Sequence, residues 1–208
     1  IQILKHSFTF TFEDNVILPF SHDEVVHEKR SLITKMPGNE WEKFANLRLL
    51  LSYMICYPGK KLLFMGAEFG QWLEWECSEE IHWPVLKASY NAQLHYFVSE
   101  INRFYKEHEA LWAHDFLKSQ CEWVCEREDA FCYIRKGEKE TLLCVHNFSS
   151  SPAYDVLVSS SFIQEVSLLF NSDLDQYGGS GKEKSIEVKN EGIMIDVPPL
   201  TTLIFKCR

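Results

Sequence analysis

The sequence lacks the hallmarks of several large classes of protein. No apolar run approaches the about 20 residues of a transmembrane helix, so we expect no membrane partner. Residues 1–12 contain no basic start followed by an apolar stretch, which predicts the absence of a signal peptide. Basic residues number 21 and acidic residues 30, and the net charge of −9 disfavours DNA or RNA as the main partner. A neutral substrate fits this composition better.

Motifs of several common catalytic sites are also missing. His22 and His27 are five residues apart, or about 140° around a helix, so they cannot form the zinc site of a metallopeptidase. The chain contains no Gly-x-Ser-x-Gly elbow of a serine hydrolase. In the glycine-rich residues 178–184, Glu183 stands where a phosphate-binding loop needs Ser or Thr. The sequence therefore predicts neither a metal ion nor an organic cofactor.

Cysteine is present, but not in a disulfide or zinc pattern. The seven cysteines are scattered and their number is odd. Cys121 and Cys125 are four residues apart, with no partner motif that would complete a zinc site. We expect buried thiols in a protein of a reducing compartment, the cytoplasm.

The first half of the chain reads as alternating strand and helix. Residues 15–20 form a short apolar run, residues 41–57 a helix that is apolar on nearly every side, and residues 62–65 a second uninterrupted apolar run. Continuous apolar strands separated by a helix are typical of a parallel βαβ unit. A second helix is predicted over residues 91–109, with one apolar stripe.

The second half reads as all-β. Short apolar segments alternate with turn signals from about residue 116 onward, which predicts a β-sandwich. The predicted strands are 122–127, 131–135, 141–146, 153–158, 165–170, 185–188, 193–197 and 202–206. The fold class is therefore α/β followed by all-β, with a boundary between residues 115 and 116.

Polar residues gather where the first predicted strand ends. Ser21, His22, Asp23 and Glu24 follow it directly, within the long connection of residues 21–40. Reactive residues of parallel α/β folds collect at this end of the strands, and connections this long are often functional. The alternative is that Ser21 or Asp23 only caps a short helix.

Sugar chemistry suits this composition best. Carboxylates can oppose the positive charge of an oxocarbenium-like transition state, and aromatic rings can stack on sugars. Aromatic residues make up 14 % of the chain, and three tryptophans, Trp72, Trp75 and Trp83, follow the second predicted strand. They are candidates for a glucan platform, with ordinary loop packing as the alternative.

Several motifs carry a more specific resemblance. Residues 18–27, Leu-Pro-Phe-Ser-His-Asp-Glu-Val-Val-His, resemble the fourth signature region of the α-amylase superfamily in the form found in 1,4-α-glucan branching enzymes. Segments similar to that family follow in the same order and cover nearly the whole chain. They are residues 35–38, 43–48, 58–66, 68–71, 74–75 and 197–200. Glu28, where the family more often has Gly, is a departure.

The resemblance implies a fold and a set of roles. Residues 1–115 would be the last part of a catalytic (β/α)₈ TIM barrel, with strands seven and eight, and residues 116–208 the C-terminal β-sandwich. Asp23 would be the catalytic carboxylate that stabilises the transition state and binds sugar hydroxyls. His22 and Glu24 would bind the substrate, an α-1,4-glucan such as glycogen or amylose. The full-length enzyme is expected to be a monomer that forms α-1,6 branches by a retaining mechanism.

The family's nucleophile Asp and acid/base Glu lie on earlier barrel strands, which the 208 residues do not include. A retaining transglycosylase needs both groups, so the sequence predicts a C-terminal part that is inactive alone. Two alternatives stay open. The chain could belong to another glycosidase of the superfamily, or it could be a glucan-binding remnant without catalysis.

Overall fold

The computed structural model describes residues 11–181, 186–189 and 192–208. The stretch considered for a signal peptide lies almost wholly outside these residues, as do parts of the glycine-rich segment 178–184, of the predicted strand 185–188 and of the turn before Gly192. No helix among the described residues is long and apolar enough to cross a membrane.

The first half contains the predicted pair of parallel strands. Strand β1 (Ile17–Phe20) pairs in parallel with β2 (Lys60–Leu63), in a register that runs from Ile17 opposite Lys60 to Phe20 opposite Leu63. The connection between them contains helix α1 (Leu32–Lys35) and the long helix α2 (Glu40–Cys56). Strand β2 ends two residues earlier than predicted, because the chain turns at Met65 and at Gly66, whose φ is 88°.

Helix α2 begins and ends at recognisable signals. The Asn39 side chain accepts a hydrogen bond from the Glu42 amide (3.0 Å), and the Glu42 carboxylate accepts one from the Asn39 amide (2.7 Å), which is a capping box. Pro58, two residues beyond Cys56, cannot continue the helix. Helix α3 (Ser89–Glu107) is amphipathic, as predicted, and buries one stripe. That stripe consists of Leu94, Phe97, Val98, Ile101 and Phe104.

The second half is a sandwich of two antiparallel sheets, as predicted. The strands are β3 (Cys121–Glu126), β4 (Ala130–Lys136), β5 (Thr141–Asn147), β6 (Ala153–Val158), β7 (Val166–Asn171), β8 (Ile186–Lys189), β9 (Gly192–Val197) and β10 (Thr201–Cys207). One sheet has five strands in the order β3-β4-β5-β10-β7, and the other has three in the order β6-β9-β8.

The five-stranded sheet is buried on both faces along β4, β5 and β10, whereas residues 167–169 of its edge strand β7 are exposed. Its inner face packs against the three-stranded sheet through residues such as Cys132, Val145 and Leu203. Its outer face, including Phe131 and Tyr133, shares a single apolar core with α2 and α3. The result is three layers, helices on sheet on sheet, and the first core crosses the predicted boundary between residues 115 and 116.

A buried ion pair also joins the two halves. The Arg135 guanidinium donates to Asp115 Oδ1 at 2.8 Å and to the Cys56 carbonyl at 2.6 Å, and the Asp115 side chain has no exposed surface. Lys60 Nζ lies 3.0 Å from Asp115 Oδ2. Charges this deep require partners, and these groups supply them.

The cysteines follow the expectation only in part. Cys56, Cys132, Cys144 and Cys207 are buried, as expected, whereas Cys77 is exposed. Cys77 lies in the irregular segment after β2, which has no apolar periodicity that would carry a side chain into the core.

Candidate active site at the ends of the parallel strands

The segments that follow β1 and β2 meet at one edge of the parallel pair. Both strands end at this edge, since Phe20 lies opposite Leu63. One further backbone bond, from the Phe64 amide to the Phe20 carbonyl (2.8 Å), extends the ladder. Residues 21–31 and 64–76 are thereby brought side by side, as expected for the carboxyl ends of parallel strands.

His22, Asp23 and Glu24 form a short 3₁₀ turn directly after β1. Ser21 begins the turn, and its hydroxyl accepts a hydrogen bond from the Asp23 amide at 3.3 Å. The capping alternative therefore holds for Ser21, whose hydroxyl also donates to Asp23 Oδ2 at 3.4 Å, while most of the Asp23 side chain stays exposed to solvent. Capping by Ser21 fixes the backbone that presents His22 and Asp23.

The three side chains are exposed, and two of them face each other. The exposed fractions are 56 % for His22 and 73 % for Asp23, and His22 Nε2 lies 3.4 Å from Asp23 Oδ1. The His22 ring lies against Phe64, with the centroids 5.9 Å apart. This pair can offer a carboxylate and an imidazole side by side to a ligand that approaches from solvent.

Glu24 has a different environment from Asp23. Its carboxylate lies 3.6 Å from Lys35 Nζ, and the same ammonium group donates to the Glu24 carbonyl. Lys29 Nζ donates to the Asp23 carbonyl at 2.8 Å. Neither lysine has a role predicted from the sequence, where Lys35 stands only within the resemblance segment 35–38, because nothing in their spacing distinguishes them from surface lysines.

The turn after β2 is held by amide side chains. Asn91 Nδ2 donates to the carbonyls of Phe69 (2.8 Å) and Gly70 (2.9 Å), and Gln71 Oε1 accepts from the His82 amide at 3.1 Å. Gln71 and Asn91 are buried. Gly70 has a φ of 65°, a conformation that glycine adopts without strain.

Glu74 spans the two segments. Its Oε1 accepts a hydrogen bond from the Glu28 amide at 2.7 Å, and its Oε2 accepts one from the Arg30 amide at 2.9 Å. In the sequence, Glu74 stands out only within the resemblance segment 74–75, which predicts no role for it. Its contacts join residues more than 40 positions apart, which no local pattern reveals.

The three tryptophans considered for a glucan platform have different environments. Trp72 and Trp75 are partly buried and pack against Phe44 and Phe64 respectively. Trp83 is 48 % exposed. Ordinary packing therefore accounts for much of Trp72 and Trp75, and Trp83 retains an accessible ring.

Trp75 and Trp83 border an open groove of about 780 Å³. Four carboxylates also line it, those of Glu74, Glu76, Glu79 and Glu80. The Cys77 thiol donates to Glu76 at 3.3 Å and, with further hydrogen bonds from Ser78, lowers the pKa of the Glu76 carboxyl. Exposed rings beside hydrogen-bond acceptors suit a neutral ligand that is rich in hydroxyl groups. No group of three or more His, Cys, Asp or Glu side chains in the described part of the chain could hold a metal ion.

The chain is similar in sequence to a known domain family and to several known enzymes. Residues 123–208 match the family model of the alpha amylase C-terminal all-beta domain. The chain is 47 % identical to the 1,4-alpha-glucan branching enzyme GlgB of Protochlamydia amoebophila, over 98 % of the chain and 29 % of that enzyme. It is 38 % identical to the GlgB of Halothermothrix orenii, over 99 % of the chain and 35 % of that enzyme. The chain thus spans about a third of the length of these relatives.

Solved structures show the same fold at low identity. An alpha-amylase from H. orenii matches with a TM-score of 0.61 and 18 % identity, over 92 % of the chain and 39 % of that structure. The catalytic module of the glycogen-degrading pneumococcal virulence factor SpuA matches with a TM-score of 0.67 and 10 % identity, over 93 % of the chain and 36 % of that structure. Residues 123–208 thus match the alpha amylase C-terminal all-beta domain, and nearly the whole chain is similar in sequence to the C-terminal portion of 1,4-alpha-glucan branching enzymes.

Proposed function

We propose that the chain is part of a 1,4-α-glucan branching enzyme, which cleaves α-1,4-glucan chains and transfers them to form α-1,6 branches in glycogen biosynthesis. The observation that carries this proposal is the exposed His22–Asp23 pair at the carboxyl edge of the parallel strands, in a chain 47 % identical to a branching enzyme. The enzyme would act in the cytoplasm as a monomer on glycogen or amylose.

Asp23 is the proposed catalytic carboxylate. Ionised, it opposes the positive charge that develops on the sugar, and it accepts hydrogen bonds from hydroxyl groups next to the reacting carbon. His22 donates a hydrogen bond to the same sugar. Glu24 lines the substrate site beside them, and its ion pair with Lys35 suits a binding role better than proton transfer.

The nucleophile and the general acid are proposed to come from residues beyond these 208. The relatives are about three times as long as the chain, which leaves room for a complete barrel. Residues 1–115 would then contribute strands seven and eight of that barrel, and residues 116–208 the C-terminal sandwich. The isolated chain is expected to be inactive, because a retaining mechanism needs both missing groups.

Branching assays on a full-length enzyme that carries this chain test the proposal. Asp23→Asn is expected to lower kcat by at least about 10²-fold, because the amide cannot oppose positive charge. Asp14→Asn, at an exposed turn before β1, is the matched control and should retain full activity. An unchanged rate for Asp23→Asn would contradict the assignment of Asp23. Release of reducing ends without new α-1,6 linkages would point to a glycosidase of the superfamily.

The groove beside Trp83 favours a second candidate, glucan binding without catalysis. It predicts that the protein is retained on a glycogen column and that Trp83→Ala abolishes this retention. An enzyme that branches glucan would exclude this candidate as the sole function.

A further inference from the structure

Residues 27–30, which follow the His22–Glu24 turn, have an unusual backbone. His27, Glu28 and Arg30 have positive φ angles of 56°, 64° and 69°. Residues with a Cβ disfavour this left-handed region, so something in the structure must hold them there. Three of the five positive-φ residues other than glycine in the described chain lie in this one loop.

The carboxylate of Glu74 is placed to hold the loop. Each of its oxygens accepts one backbone bond, from Glu28 at 2.7 Å and from Arg30 at 2.9 Å. Backbone amides of residues near the left-handed region form concave sites for anionic oxygens, and bonds to a charged acceptor are stronger than neutral ones. The negative charge thus stabilises a conformation that the sequence of the loop disfavours.

Two further bonds fasten the same segments at either end. The Trp75 amide donates to the Val25 carbonyl at 3.1 Å, and the Ser31 hydroxyl donates to the Trp72 carbonyl at 2.9 Å. Residues 72–75 therefore bind the loop before, within and after its left-handed part.

The loop is in turn connected to the proposed catalytic pair by two routes. Lys29, whose backbone lies between the two amides bound by Glu74, donates from Nζ to the Asp23 carbonyl at 2.8 Å. The Trp75 ring packs edge-on against Phe64 at 5.2 Å, and Phe64 contacts the His22 ring. A shift of the loop would therefore move the backbone of Asp23.

We propose that Glu74 is a positioning residue, whose carboxylate clamps residues 27–30 and thereby fixes the His22–Asp23 turn for reaction with glucan. The proposal rests on the proposed function. Glu74 is not a catalytic residue in this scheme, because both of its oxygens are used by backbone amides. Its loss should lower kcat more than it raises KM, since a displaced reacting group impairs the transition state first.

The test compares Glu74→Gln with Glu128→Gln in the full-length enzyme. Glu128 is exposed in the turn between β3 and β4, outside the groove and the strand ends, so the same substitution there is a matched control. In Glu74→Gln one carboxylate oxygen becomes an NH₂ group that faces an amide donor. We expect amide hydrogen exchange in residues 25–31 to quicken roughly tenfold and kcat to fall by about 10–10²-fold, with KM changed less than about threefold. Glu128→Gln should change none of these values.

Hydrogen exchange is measured without glucan, which separates the clamp from the proposed function. Unchanged exchange in Glu74→Gln would overturn the clamp, and faster exchange with unchanged kcat would overturn its role in positioning. An unchanged kcat for Asp23→Asn would instead refute the proposed role of Asp23, and the exchange result would still decide whether Glu74 orders the loop.

Replacing Glu28 by glycine gives a second test of the clamp, which applies even if Glu74→Gln alone folds poorly. Glycine adopts positive φ without strain, so Glu28→Gly should reduce the need for the clamp. The double variant Glu28→Gly/Glu74→Gln is expected to have a higher kcat than Glu74→Gln. A kcat no higher than that of the single variant would overturn the proposal.

Discussion

The buried pair of Asp115 and Arg135 makes the strongest stability prediction. It connects the two halves of the chain, its side chains are 0 % and 2 % exposed, and the charged groups are 2.8 Å apart. Replacing Asp115 by Ala removes the partner of a guanidinium that cannot reach water. The cost of an unpaired buried charge is about 3–5 kcal/mol in the free energy of unfolding.

This cost converts into a measurable shift of the melting temperature. A chain of this size loses about 2–4 °C per kcal/mol, so Asp115→Ala should melt about 6–20 °C below the parent. Circular dichroism at 222 nm follows the transition. The control is Asp129→Ala, which breaks the more exposed pair with Arg127 and should cost at most about 1 kcal/mol.

A double variant distinguishes the cost of leaving one buried charge unpaired from the cost of losing both side chains. Asp115→Leu/Arg135→Met removes both charges and should recover most of the stability that Asp115→Ala loses, because no charge is left unpaired. A melting temperature of Asp115→Ala within about 2 °C of the parent, which corresponds to at most about 1 kcal/mol, would refute the expected cost of the unpaired charge. A double variant less stable than Asp115→Ala would refute it as well.

Two further predictions concern titrating groups. Burial lowers the pKa of Lys61 to about 7, so between pH 7 and 10 the unfolded chain binds more protons and stability should rise with pH. In urea titrations, Lys61→Met should reduce the slope of the free energy of unfolding against pH by up to about 1.4 kcal/mol per pH unit. Equal slopes for the parent and the variant would refute this role of Lys61. The thiol of Cys77 donates a hydrogen bond to the Glu76 carboxylate, which raises the pKa of that thiol. Glu76→Gln should therefore speed its reaction with a disulfide reagent at pH 7.5, and an unchanged rate would count against this cause.

The helices and strands could be predicted from the sequence where the residues that begin and end them are close together in the chain. The helix predicted over residues 41–57 lies at Glu40–Cys56, because the apolar pattern, the cap at Asn39 and the stop at Pro58 all act within a few residues. The strands of the sandwich agree with their predicted ranges to within about two residues, since turn residues separate them. The end of β2 was wrong by two residues, because continuous apolarity through Met65 hid the turn.

In the candidate site, too, the features set by neighbouring residues could be predicted from the sequence, whereas contacts between distant residues could not. His22, Asp23 and Glu24 could be placed at the end of β1 from the sequence, because they directly follow an apolar run. Their roles in catalysis and binding stay predictions. The bonds of Glu74 to the amides of Glu28 and Arg30 could not be foreseen, since a side chain that binds a distant backbone leaves no periodic pattern. The positive φ angles of the loop were hidden for the same reason, as no glycine marks them.

The shared core explains how the sandwich bears on the proposed site. Helix α2 packs against the outer face of the five-stranded sheet, where Phe131 and Tyr133 are 1 % and 0 % exposed, and Arg135 binds the carbonyl of Cys56 at its end. Four residues later the chain enters β2, whose end carries Phe64 and the segment that contains Glu74. Interiors packed this densely transmit displacement rather than absorb it. The sandwich therefore sets the position of α2, and α2 sets the start of β2. The residues that hold the His22–Asp23 turn directly follow β2 in the chain, so their position depends on the sandwich as well.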